Sequence, residues 1–537
     1  MARAPFRNLG ALSILLTLVT VVTKLLGFIR EILVSAWFGA SYQTDAFYLV
    51  FSILLVAMGS AAAQLPRIFV PEYQRRQLAE VQGEEEQSSS AYLGASILIY
   101  LPAALLLTIG FGLFTDPLIS WVAPKLPTET HLLSVQLMHA MLPIIPCTAI
   151  IAVLSSLAHA RGHLILVQIA TPLLNIGGVI GLLLLGRSKG VESLALGLSV
   201  GSILQCLTVA IYPFRERLLP KLRPEAVETV LKGSGVLLLL WLLNYSGGFL
   251  MVLSERYFAT GLPPGHLSCM GYAIRLASLP NQVLFGGLLV VLLPALSSKA
   301  VHQDREELER LTLRALKMLL LLVLPVLAGM ALLANPLVQV TFGRGAFGSD
   351  AAQLTGLLLI AYVPSLITEV IRLVIATVFF ANSRPGPAIA YGLIRVTTVN
   401  LAYALTWEEH GALGMAVCLS AIDMLGAGLF LTMAHQMLGL RFSSLLPFFT
   451  RLLPASLMAL LGAQLGFSSA QWLLEGDSNL ILSLQLLLAT LSGGGAFYWA
   501  ARLSGLKELD ELIETIKSML RRRLRHKQTS AGKDQNS

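Results

Sequence analysis

Six basic side chains, Lys24, Arg30, Arg256, Arg275, Arg372 and Arg395, fall inside stretches that are otherwise long and apolar. A charge at the centre of a lipid-spanning helix costs about 2.5–3.5 kcal/mol and persists chiefly where it faces a water-filled cavity or a partner. A cationic chamber in a membrane protein calls for an anionic cargo. The densest group is Thr23-Lys24, Gly27 and Arg30-Glu31, followed by Phe38-Gly39-Ala40 and Thr44-Asp45-Ala46-Phe47. Lys24 and Arg30 point in different directions on a regular helix, unless Gly27 bends it and brings both to one cavity. The fork of Arg and the point charge of Lys both suit phosphate oxygens. The competing reading is an internal ion-pair network in which Glu31 or Asp45 neutralises Arg30 or Lys24.

Elsewhere the charges read mainly as architecture. Glu369 and Arg372 stand at i,i+3, the spacing of a self-contained pair on one helix face, and Arg395 and Asp423 are placed to pair between neighbouring spans. Glu255 and Arg256 are adjacent and so diverge by about 100° on a helix. One of them needs another partner, and a bound cation is one candidate for Glu255. His139 shares its span with Gln136, Pro143 and Pro146 and reads as a hydrogen-bonded packing residue rather than a proton relay. Cys147, Cys206, Cys269 and Cys418 form no CxxC or metal spacing. No P-loop lysine follows Gly493-Gly494-Gly495, so close helix packing explains that run better than phosphate binding.

The elements that must position these residues are membrane helices. Of 537 residues, 55% are hydrophobic and 13% charged, against roughly 25% charged in soluble domains. A span needs about 20 apolar residues. On that criterion the chain is all-α and polytopic, with about fourteen spans: 9–38, 44–65, 90–114, 132–157, 163–185, 191–213, 233–258, 267–297, 311–333, 352–381, 387–407, 411–438, 446–467 and 480–503. With the amino terminus inside, Arg67, Arg75, Arg76, Arg161, Arg215, Lys221, Lys299, Arg305, Arg314, Lys317, Arg384 and Arg441 all fall on the cytoplasmic side, as the positive-inside rule expects. The same rule accounts for the net charge of +8 without nucleic acid. Arg3 and Arg7 precede an apolar run with no cleavage site, which reads as an uncleaved first span. The inner loop holds the acidic run Glu84-Glu85-Glu86, and the tail closes on Arg521, Arg522, Arg523, Arg525 and Lys527, suited to anionic headgroups.

Ser35 to Ala40 parallels Ser254 to Ala259, and Val70-Pro71 parallels Leu293-Pro294, an offset of about 220 residues (35 against 254, 70 against 293). Order and spacing together suggest a duplicated six-span unit with a binding site between repeats. The expected division is an N-lobe over 1–225, a C-lobe over 226–440, two further spans over 441–505 forming a lipid-tail groove, and a basic cytoplasmic tail over 506–537.

The run from Thr23 to Glu31 leading to Phe38-Gly39-Ala40 and Thr44-Asp45-Ala46-Phe47 resembles the MurJ/MviN family of lipid II flippases, in the superfamily of multidrug, oligosaccharidyl-lipid and polysaccharide exporters. The likeness extends along the whole chain: Tyr272-Ala273, Arg275-Leu276, Pro280 and Leu292-Leu293-Pro294 resemble the family's eighth span, and Pro172 to Asn175, Phe342 to Phe347 and Phe379-Phe380-Ala381 match further family positions. The resemblance implies a central cavity in which Lys24, Arg30 and Arg275 hold the diphosphate of a lipid-linked sugar, with Glu31 and Asp45 as its acidic members. It implies a cation ligand at Glu255, in a motif like the family's D-R-x-x-A, and another at Asn400. Two departures stand out. The family's second-span basic pair and glutamate are replaced by Leu54 to Ala63, and the acid three residues after the eighth-span arginine is Ser278.

The expected function is therefore a flippase, not an enzyme, carrying a polyprenyl-diphosphate-linked saccharide from the cytoplasmic to the outer leaflet of the bacterial inner membrane. Lipid II is the first choice of cargo, and an exopolysaccharide or O-antigen type glycan the alternative. No cofactor is called for; coupling is expected through membrane potential or a monovalent cation. Membrane lipids and cell-wall synthesis proteins are the expected further partners. A membrane enzyme would place carboxylates or histidines in sizeable aqueous loops with a metal, and a drug or cation exporter would have an acidic cavity.

Overall fold

The computed structural model describes residues 9–82, 88–216, 218, 220, 227, 228, 250–282, 305–382, 384–476, 478–514 and 517. Arg3, Arg7, the Glu84 to Glu86 run, Lys221, Leu292 to Pro294, Lys299 and the basic residues Arg521 to Lys527 lie outside them, as do the first part of the seventh span and the second part of the eighth. The described residues carry no strand. In hydrocarbon each backbone group must be satisfied within its own segment, which these apolar runs achieve as helices.

The helices are α1 (Leu9–Phe38), α2 (Tyr42–Val81), α3 (Ser89–Leu113), α4 (Thr115–Val122), α5 (Thr128–Met141), α6 (Ile144–Ala160), α7 (Leu164–Ala170), α8 (Leu173–Lys189), α9 (Glu192–Arg215), α10 (His266–Ala277), α11 (Arg305–Leu332), α12 (Ala334–Phe342), α13 (Ser349–Ala381), α14 (Gly386–Leu438), α15 (Leu445–Leu473) and α16 (Asn479–Leu503). Residues 250–259 are also helical. Eight of the described helical segments are long and apolar enough to cross a membrane, α7 and α8 counting as one, and α5 with α6, bent by 40°, makes a ninth. Within α14, Gly411 leaves helical geometry (φ 57°, ψ −149°), so this 53-residue element comprises the expected eleventh and twelfth spans.

Three features differ from the sequence reading. Helix α2 does not stop near residue 65 but continues through Pro66 and Pro71 for 40 residues, about 60 Å of helix. Arg75 and Arg76 thus ride on a helix, each paired with Glu72 at 3.0 and 2.8 Å. The fifth span is two helices, α7 and α8, because Pro172 lacks an N–H and its ring disfavours the preceding turn. Helix α1 runs unbroken through Gly27. Six residues of unbroken helix rotate Lys24 and Arg30 about 120° apart, and Lys24 is exposed while Arg30 is 6% exposed.

The chain forms two compact units. The first comprises Met1–Tyr272, Phe342–Ala352 and Val399–Gly414, the second Ala273–Thr341, Gln353–Thr398 and Met415–Ser537. In the first, α8 packs tightly on α9, and α6 lies against α2, α3 and α9. An aromatic cluster fills the α2–α3–α6 interface, with Phe69 5.5 Å from Tyr73 and 5.2 Å from Tyr92. The α8–α9 seam is glycine on glycine: a Cβ on Gly177 or Gly181 would strike the backbone of Gly197, and one on Gly177 that of Gly201 as well. Small residues at this spacing let helix backbones touch in a membrane. Gly181→Val is expected to destabilise the protein by about 2–4 kcal/mol through overpacking, read as a lowered unfolding temperature in detergent; an unchanged temperature would show that the seam can open.

Turns of the first unit also meet backbone to backbone. Gly39, Gly265 and Gly345 have φ of 63°, 89° and 61°, and a Cβ on each would collide with the carbonyl of Ala346, Ala40 and Ala36 respectively. The Ala346 N–H donates to Ala36 O at 2.9 Å. In the second unit α15 and α16 pack along their length, with Gly493 against Ala459 and Ala463.

Candidate functional site

In the first unit, Arg30 leaves α1 into a buried polar chain. Its Nη2 donates to Glu31 Oε1 at 2.7 Å, its Nη1 to Asn175 Oδ1 on α8 at 3.1 Å, and its guanidinium lies 5.4 Å from the Phe51 ring centroid. Its buried Nε meets no acceptor among the described residues. Glu31, 4% exposed, accepts from the Tyr48 hydroxyl at 2.5 Å. One turn along α2 the Ser52 hydroxyl donates to Tyr48 O at 2.6 Å and accepts from Arg256 Nε at 3.1 Å, and Arg256 Nη1 reaches Glu255 Oε1 at 3.4 Å. Asn175, Arg30, Glu31, Tyr48, Ser52, Arg256 and Glu255 thus form one continuous chain through the unit. Arg256 resolves the adjacent-charge problem by bonding Ser52 while keeping Glu255 in reach.

Asp45 has a different occupation. Its carboxylate accepts from the Gly265 N–H at 2.5 Å, the Ser268 N–H at 2.8 Å and the Ser268 hydroxyl at 2.5 Å. It caps the amino terminus of α10, where unpaired N–H groups and the helix dipole favour a negative charge. The Ser268 hydroxyl also reaches Thr44 Oγ1 at 2.8 Å. Asn400 is half-buried in the first unit.

In the second unit Arg275 is half-buried on α10. The Ser278 hydroxyl, standing where an acid was expected, donates to Arg275 O at 3.2 Å and accepts from Gln282 Nε2 at 2.9 Å. Arg395 grips Asp423 with two bonds of 2.5 and 2.9 Å, and Ser365 adds a third at 2.5 Å. Arg372 lies 3.7 Å from Glu369 and 3.9 Å from Asp423. Glu369 accepts a shorter bond, 2.8 Å, from Asn281 Nδ2, so the expected i,i+3 pair is part of a larger network. His139 bonds the carbonyls of Val135 and Gly112. Among the described residues no cluster of metal-ligating side chains occurs.

The structure therefore joins Arg30, Glu31 and Glu255 through one chain, commits Asp45 to a helix cap, and places Lys24 on an exposed turn of α1. Sequence reasoning did not assign Asn175, Tyr48, Ser52 or Ser268 a role. Their signal was polarity within apolar runs, which marks a buried bond but not its partner.

An apolar groove of about 290 Å³ also lies in the second unit, lined by residues 321–337 of α11 and α12, 459–463 of α15 and 486–497 of α16.

The sequence model of the family described as lipid II flippase MurJ matches residues 34–481. The chain belongs to that family. Lys24, Arg30 and Glu31 precede the matched range; Asp45, Glu255, Arg275 and Asn400 lie within it. Relatives include a probable lipid II flippase MurJ of Synechocystis, 25% identical over 448 residues (80% of this chain, 82% of that one), and one of Bdellovibrio bacteriovorus, 25% identical over 503 residues (89% and 92%). The fold matches a lipid II flippase MurJ solved in an inward closed conformation, with a TM-score of 0.74 at 21% identity over 93% of this chain and 100% of that one. It also matches an inward-facing multidrug MATE transporter with a TM-score of 0.66 at 15% identity, over 78% and 94%. The MurJ family consists of multi-pass inner-membrane transporters rather than enzymes, and this member shares that all-helical architecture.

Proposed function

We propose that this chain carries lipid II from the cytoplasmic to the outer leaflet by alternating access, with both termini cytoplasmic. The observation that carries the reading is the family match across residues 34–481. In this scheme Lys24, Arg30 and Arg275 grip the diphosphate, and Arg30 brings a buried donor, Nε, that no acceptor among the described residues takes up. Guanidinium and ammonium bonds to an anion are about twice as strong as neutral ones. Glu31 holds the Arg30 fork in place, and Asp45, tying α2 to the start of α10, keeps the outer end shut. Movement of a dianion outward is favoured by an inside-negative potential, at about 2.3 kcal/mol per charge per 100 mV. Glu255 and Asn400 are the candidate ligands for a monovalent cation that resets the empty carrier. The polyprenyl tail lies in the apolar groove of α11, α12, α15 and α16.

Complementation of a strain depleted of its lipid II flippase tests this, with Arg30→Ala and Arg275→Ala as controls. Growth with the intact chain alone supports lipid II as cargo. Failure by a well-expressed, correctly inserted protein moves the cargo to another lipid-linked glycan. Lys24→Ala is expected to slow flipping about tenfold at an unchanged unfolding temperature, because alanine suits an exposed helical position. Unchanged flipping would remove Lys24 from the site.

A further inference from the structure

Past α16 the chain turns at Gly505 (φ 67°) and forms an amphipathic helix described over 507–514, beyond the end of the family match at 481. Leu506 and Leu509 are 2% and 8% exposed, while Lys507, Asp510, Glu511 and Glu514 face outward. The helix is fixed across two elements of the second unit. Glu508 pairs with Lys317 of α11 at 3.2 Å with both side chains about four-fifths buried, and Glu511 pairs with Arg314 one turn earlier at 2.8 Å. The Lys317 ammonium also lies 5.9 Å from the ring centroid of Phe448 on α15, and Arg451 of α15 donates to Gly505 O at 3.2 Å.

The anchors lie on α11 and α15, helices that also line the apolar groove. Lys317 is four residues from Leu321, and Ala501 four residues from Phe497, where the groove lining begins on α11 and α16, about 6 Å along each helix. We propose that the helix 507–514 is a strap that joins α11 to α15 and α16 at the inner mouth of the groove and thereby sets how firmly the groove holds a hydrocarbon chain. The proposal rests on the assignment of the groove to the cargo's polyprenyl tail. Two opposed acid–base pairs on a buried leucine seat make the strap a specific contact rather than a generic tail. Its partner face, Arg314 and Lys317, would otherwise present two cations at the membrane boundary.

The test uses the full-length purified protein and a C55 polyprenyl monophosphate as probe, with binding followed by native mass spectrometry. Glu508→Lys is expected to weaken binding about tenfold, and the exchange Glu508→Lys with Lys317→Glu to restore it to within about twofold. Glu508→Gln, which only neutralises the pair, keeps the test open if the reversal does not fold, with about a threefold loss expected. Unchanged binding by both Glu508 variants, or an exchange that folds and stays weak, overturns the strap. Gly329→Phe places a ring in the groove, where a Cβ meets no atom within 4 Å, and is expected to abolish binding. If it does not, the groove assignment fails and the strap with it; if it does while Glu508→Lys binds normally, the strap alone fails.

Discussion

Arg30→Ala is expected to slow flipping by about 100-fold or more and to lower stability by about 3–5 kcal/mol. The stability loss follows from taking away the cation paired with Glu31, which is 4% exposed; removing one member of a buried pair costs that much. In the proposed cycle the transport loss follows from removing the charged donor Arg30 Nε, whose bond to an anion contributes about 1.5–3 kcal/mol, where 1.36 kcal/mol is a tenfold change in rate. The double variant Arg30→Met with Glu31→Leu separates the two effects, since replacing both charges by apolar groups is often nearly neutral. Its unfolding temperature should approach that of the parent while flipping in proteoliposomes stays lost. A double variant that flips normally would make Arg30 architecture.

The second large effect is expected at Asp45. Its carboxylate holds three donors of the α10 amino terminus, and in the proposed cycle those bonds must break for the outer end to open. Asp45→Ala removes them all and is expected to shift the balance towards the open form by about 3 kcal/mol, roughly 100-fold in population. A cysteine at Ala46, fully buried in this structure, should then react with an impermeant maleimide from outside at least ten times faster in the Asp45→Ala background. Equal labelling rates would show that the cap does not hold the outer end.

Much of this architecture was legible because membrane helices are written in composition. The boundaries of α3 and α16 and the end of α1 lie within one residue of those read from apolar length alone, and the break at Gly411 falls on the residue read as the start of the twelfth span. Apolar length ended the second span at residue 65, yet α2 continues through Pro66 and Pro71 to Val81. Pro172 was under-read, since it broke a fifth span that looked continuous. The short helices α4 and α12 were hidden because eight or nine residues show little periodicity. At the site, the sequence left open whether Glu31 or Asp45 meets Arg30 or Lys24, and of these Arg30 pairs with Glu31; Arg395 and Asp423, read as placed to pair, do so. It could not show Asp45 reaching across more than two hundred residues to Gly265 and Ser268, since a cap's partner is fixed by tertiary packing. Nor could it show that Glu369 answers to Asn281 more closely than to Arg372.

The groove of α11, α15 and α16 has a pharmacological consequence. Its lining is almost wholly alkyl and glycine, and Val326 on its edge is 46% exposed on a face that reads as lipid-contacting. A blocking compound would therefore arrive from within the bilayer rather than from water, and its working concentration would be set by partitioning. Lengthening a homologous series of such blockers should raise potency by about 0.8 kcal/mol per methylene, nearly fourfold each, until the slot is full and the gain stops.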